Sequence, residues 1–226
     1  MPVQRASGVI AVLIFGVCEV CFCGAAFADE GPGPWEAVYA GGGVTVVARK
    51  QPGSKIKEIR AVGEVAMGSE RLFAVLGDIE QYPRIMPPTI AAHLLAKEGT
   101  SAWYHLEIDP PVVSKRDYCI KVTLTRLPDG KLQSEWHDTN ERGCPPLKPG
   151  YVRMRGTFGR WLLTPLDGGR TFVDYQAYTD PAGSLPAWAV NRATARQMGD
   201  MFKSLVKAAA EVRYAACRGE KLGCDN

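Results

Sequence analysis

DPAGSLPAWAVNRATARQMGDMFKSLVKAAAEV, residues 180–212, reads as a turn followed by one long amphipathic helix. Pro181 and Pro186 are poor fits to a helix interior, and Gly183 frees the backbone of the turn. Ser184 is placed to cap the first turn, with Pro186 near the first helical position. Beyond it Trp188, Ala195, Met198, Phe202, Leu205, Ala209 and Val212 recur at helical spacing. Arg192, Arg196, Asp200, Lys203, Lys207 and Glu211 fall on the other side. An apolar face of that length needs a large apolar surface to lie on.

The preceding chain reads as the sheet that supplies it. After a linker at Gly31 to Pro34, Trp35 to Tyr39 is expected to form a short helix with its Trp turned inward, ended by Gly41-Gly42-Gly43. Val44 to Arg49 is a β-branched strand. Ile56 to Met67 alternates, with Ile59, Ala61, Val65 and Met67 on one side. Ser69 to Leu76 is expected to be a helix, and Tyr82-Pro83 with Met86-Pro87-Pro88 a loop. Further strand signals lie at Ile90 to Lys97, Ala102 to Ile108, Tyr118 to Leu127 and Lys131 to His137, and then as a hairpin, Tyr151 to Leu163 with Arg170 to Tyr178. A short helix, a run of antiparallel strands and one long C-terminal helix make an α+β domain. A twisted antiparallel sheet curls, and a helix laid across its concave side leaves space beneath it. Composition alone does not separate a filled core from a lined pocket.

The first 28 residues are expected to be a signal peptide. Arg5 precedes an apolar run from Val9 to Val17, and Ala26-Phe27-Ala28 is a small-x-small cleavage site. An uncleaved anchor or an apolar tail is the alternative. Removing the segment takes one Arg and one Glu, so the formal charge stays +3. So small a balance, with no basic block, speaks against a nucleic-acid partner. Cys119, Cys144, Cys217 and Cys224 remain, an even number that in an exported chain suggests disulfides rather than free thiols or metal ligands. Cys217 and Cys224 can close a short polar loop in the tail 215–226. That leaves Cys119 with Cys144.

Chemistry-bearing motifs are sparse. His93, His105 and His137 lie on separate strands without metal-ligand spacing, so no metal and no cofactor is expected. No serine sits in a nucleophile elbow, and Gly41-Gly42-Gly43 precedes a strand rather than a helix. The adjacent Arg116 and Asp117 at a strand start are read as structural polar residues that tie down a loop. Asn191, on the buried side of the helix, needs a hydrogen-bond partner, and the neighbouring loop is the nearest candidate.

Four ordered stretches carry a resemblance: GVTVVARKQPGSKIKEIRAVGEV at 43–65, ERLFAVLGDIEQYPRIMP at 70–87, YHLEIDPPVVSKRDY at 104–118, and GTFGRWLLTPLDGGRTFVDYQAYTDPAGSLPAWAVNRATAR at 156–196. Their most specific parts are Pro111 to Tyr118, ending Arg-Asp-Tyr, and Asp180 to Asn191. The chain resembles the START (StAR-related lipid transfer) family of the Bet v 1-like helix-grip superfamily, over residues 35–214. The resemblance implies a curved antiparallel sheet wrapped around the C-terminal helix and enclosing an apolar tunnel. It implies non-catalytic binding and transfer of a lipid such as a sterol, phospholipid or fatty acid. The cavity is then assigned to Ile59, Tyr104, Leu106, Tyr118, Ile120, Val122, Trp136, Met154, Phe158, Tyr175, Trp188, Asn191, Ala195, Met198 and Phe202. The gate is assigned to Tyr82, Met86, Pro181, Gly183 and Pro186. Some members carry an arginine inside the tunnel on the strand after Arg-Asp-aromatic. Here Tyr118, Ile120, Val122 and Leu124 occupy the inward positions, which leaves the ligand class open.

Two readings follow. One is an exported, periplasmic or extracellular monomer that carries a hydrophobic molecule and touches a membrane transiently. The other is an enzyme of the polyketide cyclase or aromatase type, which would place acid/base side chains in the same cavity.

Overall fold

The computed structural model describes residues 32–111 and 113–215. The expected signal peptide and the Cys217–Cys224 pairing lie outside these residues. β1 (Glu36–Gly41), β2 (Val44–Lys50) and β3 (Lys57–Val65) form a meander. α1 (Ser69–Gly77), a 3-10 turn (Ile79–Gln81) and α2 (Tyr82–Ile85) lead into β4 (Thr89–Glu98), β5 (Ser101–Ile108), β6 (Lys115–Arg126) and β7 (Leu132–Asp138). β8 (Tyr151–Arg153), β9 (Arg155–Leu166) and β10 (Arg170–Asp180) precede α3 (Ala187–Ala209). The strands form one sheet in the order β1-β2-β3-β10-β9-β7-β6-β5-β4, antiparallel throughout, with β8 added in parallel to β6. This is the expected α+β helix-grip arrangement. Its decisive pairing is β3 with β10, from Val65 opposite Thr171 to Ile59 opposite Ala177, which joins the first and last thirds of the chain.

Alternation sets the inner face. Ala61, Val173, Leu163 and Leu132 are buried there against Leu72, Val75 and Leu76 of α1 and Phe202, Leu205 and Ala209 of α3. α3 lies on β1, β2 and β3 and touches α1 and α2, whereas α1 covers β7 and β9. The C-terminal end of α3 is locked. The Tyr214 hydroxyl donates to Asp78 Oδ2 at 2.8 Å, Arg71 Nε donates to the Tyr214 carbonyl at 3.4 Å, and Arg84 pairs with Glu211 at 2.5 Å. On the outer face Glu58 is fully buried and accepts from Arg49, Gln51 and Gln176, so its charge is met on several sides.

Several expectations need correction. Trp35 to Tyr39 is not a helix: residues 36–41 pair with β2, because the positive φ of Gly42 and Gly43 turns the chain into a hairpin. Tyr82–Ile85 is a helical turn, and only Met86 to Pro88 is the expected loop. The expected strand Tyr151 to Leu163 is two strands, broken at Met154, whose N–H turns to the Asp117 carbonyl at 2.9 Å. Ser184 does not cap α3; the N-cap is Pro186, with no side-chain bond. Trp188 and Val212 are not on the buried face: they are 71% and 89% exposed, Trp188 in the first turn of α3 and Val212 past its end at Ala209, where a separate 3-10 turn begins.

The segment 139–150 crosses the outer face of β5 and β6 and is fixed there by a Cys119–Cys144 disulfide, the pairing expected from the sequence. It closes a loop of sequence separation 25. Cys144→Ser is expected to lower unfolding free energy by about 3 kcal/mol on the chain-entropy account, measured by urea denaturation of the oxidised proteins.

Candidate functional site

The inner face of the middle strands is aromatic. Trp161 lies 4.4 Å from Tyr175 and 5.8 Å from Phe202, ring centre to ring centre, and Trp136 stacks on Tyr175 at 5.8 Å. Gly159 permits this: a Cβ there would fall 2.5 Å from the Trp136 ring and 2.4 Å from the Gln176 carbonyl. Tyr104, Tyr118 and Tyr82 continue the lining toward β5 and α2. Burial pushes the Tyr104 and Tyr118 phenols up to about 12 and those of Tyr82 and Tyr175 further still. All four therefore stay protonated at neutral pH. Yet Tyr82, Tyr118, Trp136 and Tyr175 are only half-buried, although they sit beneath the helical layer. Rings that keep free surface in an interior position border space rather than packed atoms.

Of the residues assigned to the cavity from sequence, Ile59, Tyr104, Leu106, Tyr118, Ile120, Val122, Trp136, Tyr175, Ala195, Met198 and Phe202 belong to this core. Phe158 does not. It is 40% exposed and stacks on Tyr178 on the outer face, because Trp161 and Leu163 set the opposite phase of β9. Met154 is buried at the β8–β9 break, apart from the main cluster. Trp188 is in solvent. Asn191 is occupied: its Oδ1 accepts from the Lys57 N–H at 2.9 Å and its Nδ2 donates to the Lys55 carbonyl at 3.2 Å. Trp161 was missed, and the signal for it was its register opposite Tyr175 in the hairpin.

The gate residues lie at two places. The Tyr82 hydroxyl donates to the Leu76 carbonyl at 3.1 Å, and Met86 packs against the core. Pro181, Gly183 and Pro186 lie in the β10–α3 loop, where Ala182 and Gly183 have positive φ and the Ala182 N–H is held by Asp180 Oδ1 at 2.9 Å. A cleft of about 610 Å³ opens beside this loop, between Pro110, Pro111, Val113 and Ser114 on one side and Gly183, Ser184 and Leu185 on the other. Arg116 lies on its wall, on the inward side of β6. Its Nε donates to the Pro181 carbonyl at 3.3 Å and its Nη1 to the Ser114 carbonyl.

Asp117, one residue on, points to the other face of the sheet. Burial alone would raise its pKa, but the Arg153 fork at 2.8 Å and His105 Nε2 at 3.0 Å outweigh it and hold the carboxyl below its ordinary value. Lys148 likewise holds Glu107 low from 2.5 Å. Among the described residues no group of His, Cys, Asp and Glu is arranged to hold a metal.

The START domain model matches residues 34–214. The chain belongs to the START family. It is similar to an uncharacterized protein of Pseudomonas aeruginosa, 31% identical over 206 residues, covering 91% of this chain and 96% of that one. Among solved structures it resembles the STAR-related lipid transfer protein fragment from Xanthomonas axonopodis (TM-score 0.70, 26% identity, 78% of this chain and 99% of that one). Human StAR-related lipid transfer protein 5 shares the fold (TM-score 0.68, 24% identity, 77% of this chain and 86% of that one). Family and interior together give a START domain that binds a hydrophobic ligand.

The buried Asp117 network carries its own consequence. A carboxylate with a lowered native pKa stabilises the fold above its ordinary value of 3.8 and loses that contribution as pH falls through the native value. Asp117→Asn is expected to cost about 3 kcal/mol at neutral pH by leaving Arg153 without its buried partner. The gap to the parent should shrink below about pH 4, read from urea denaturation at stepped pH.

Proposed function

We propose that this START domain takes one lipid-class molecule into the space between the middle strands and the helical layer, and carries it between membranes through water. The observation that carries the reading is the half-buried set Tyr118, Trp136 and Tyr175, side chains on the inner face of the middle strands β6, β7 and β10. A carrier need not outbid a bilayer. Burying on the order of 400 Å² of ligand returns roughly 10 kcal/mol against water, and a lipid leaving a membrane already enjoys that gain. The protein has only to match it along a dry path, with a gate. The Tyr82 to Pro88 turn and the Pro181 to Pro186 loop are that gate, and Trp188 stands exposed beside the second of them, where an indole suits a membrane interface.

A disulfide in the fold favours an oxidising compartment, which agrees with export by the N-terminal segment. A non-catalytic role is favoured by the interior tyrosines, whose raised pKa values make them weak bases at neutral pH. A catalytic reading would instead require a group that titrates near neutrality within the same space.

The test enlarges a small inward residue. Ala195 is buried on α3. In a solid core, Ala195→Trp overpacks the helix–sheet interface and costs about 1–3 kcal/mol or more. Over a ligand space the ring has somewhere to go. Ala195→Trp is therefore expected to keep its circular dichroism spectrum and to lose uptake of a fluorescent fatty-acid or sterol probe that the parent binds. Unfolding of the variant, with a parent that binds neither probe, would refute the reading.

A further inference from the structure

We infer that the cleft beside Arg116 receives the anionic end of the ligand, a carboxylate or phosphate borne on an apolar chain. The inference rests on the hydrophobic-ligand reading above and narrows its ligand class. Arg116 is 3% exposed, and among the described residues its bonds go only to two backbone carbonyls, through Nε and Nη1. Nη2 makes no bond among the described residues, and no carboxylate there pairs with the guanidinium. The contrast within this chain is sharp: Arg60 and Arg153 each have a bidentate carboxylate, Asp174 and Asp117. The two carboxylates nearest Arg116 in sequence and in the cleft are committed elsewhere. Asp117 faces the opposite side of β6, and Asp109, at the rim, is 3.7 Å from Lys115.

A guanidinium stays charged in a protein, so burying one without a counter-charge is costly unless an anion completes it. Desolvation already lowers the pKa of Arg116, in the direction expected of a cation short of a partner. Its planar donors suit an oxyanion. The surrounding wall chooses between kinds of oxyanion. Pro111, Val113, Val152 and Leu185 line the cleft beside Arg116, with the Ser184 hydroxyl at the rim. A free inorganic anion would use the charge and leave those apolar groups idle, whereas an amphiphile uses both.

Fluorescence titration of the full protein with cis-parinaric acid and with its methyl ester tests this, since the two probes differ only in the charged end. The parent is expected to prefer the acid by about tenfold, the range of one charge-assisted contact. In Arg116→Gln that preference falls to near one. Ser184→Asp, which adds a negative charge at the exposed rim, reduces the preference without removing a buried group, and so keeps the test open if Arg116→Gln misfolds. Excess inorganic phosphate is expected to leave the acid bound. Equal binding of acid and ester by the parent, a preference unchanged in both variants, or displacement of the acid by phosphate overturns the inference while the hydrophobic-ligand reading stands. Failure of the parent to bind either probe overturns that reading itself.

Discussion

One long helix and one short one have to roof a sheet nine strands wide. Nine strands at their usual spacing span roughly 40 Å, whereas a helix is about 10 Å across. A flat sheet would leave most of its apolar face in water, so the sheet must curl, and the β3–β10 pairing puts the strands from the two ends of the chain side by side in mid-sheet. Even curled, it is not evenly covered. α3 sits over β1 to β3 and α1 over β7 and β9, which leaves β10 between the two seats and β6 beyond them less covered, and the aromatic residues of these middle strands span the gaps. Large rings are an economical way to cover such a gap without closing it, because each holds a wide area in place with few rotatable bonds. The proposed ligand space is thus a consequence of covering a broad sheet with too little helix.

The same strand geometry separates two charges that are neighbours in sequence. Arg116 and Asp117 do not pair. Period-two alternation sends Arg116 to the inner face and Asp117 to the outer one. On the outer face Asp117 gathers Arg153 and His105 beneath the disulfide-fixed strap, a dense and self-sufficient network. On the inner face Arg116 has only carbonyl oxygens among the described residues. The strand therefore has its outer side anchored by completed ion pairs and its inner side left electrostatically incomplete at the mouth of a cleft.

What the sequence made legible follows from which residues obey a single periodicity. The strands with clean alternation, β3, β5, β6 and β7, have the inward residues expected of them, and α1 and the middle of α3 bury the expected faces. The failures share one physical cause, a competing local rule. Phe158 was read in phase with Met154, but the chain breaks at Met154 to join β8 to β6, and the break resets the alternation so that Trp161 rather than Phe158 faces inward. Trp35 to Tyr39 has helical spacing, yet two glycines at positive φ commit it to a hairpin edge. Trp188 and Val212 fit the helical stripe, but a stripe does not say where the helix itself stops or which of its turns are covered. The Arg116 cleft was out of reach because it is made by two loops far apart in sequence.

The two ends of α3 are held by different chemistry, and this bears on which end opens. At the C-terminal end Tyr214 is buried, its hydroxyl is bonded to Asp78 and its carbonyl to Arg71, and Arg84 reaches Glu211 beside it. Releasing that end would strand a buried phenol and break several bonds at once, a steep cost. At the N-terminal end the cap is a proline without a side-chain bond, the indole is in solvent, and the ties are Asn191 to the Lys55–Lys57 backbone and Arg116 to the Pro181 carbonyl. Of these, the Arg116 tie joins the loop to a guanidinium that an arriving anion would also engage. Opening at the N-terminal end therefore exchanges one acceptor for another at the same donor group, while opening at the other end has no such compensation. In the proposed carrier that asymmetry favours an entrance at the cleft between the β5–β6 and β10–α3 loops.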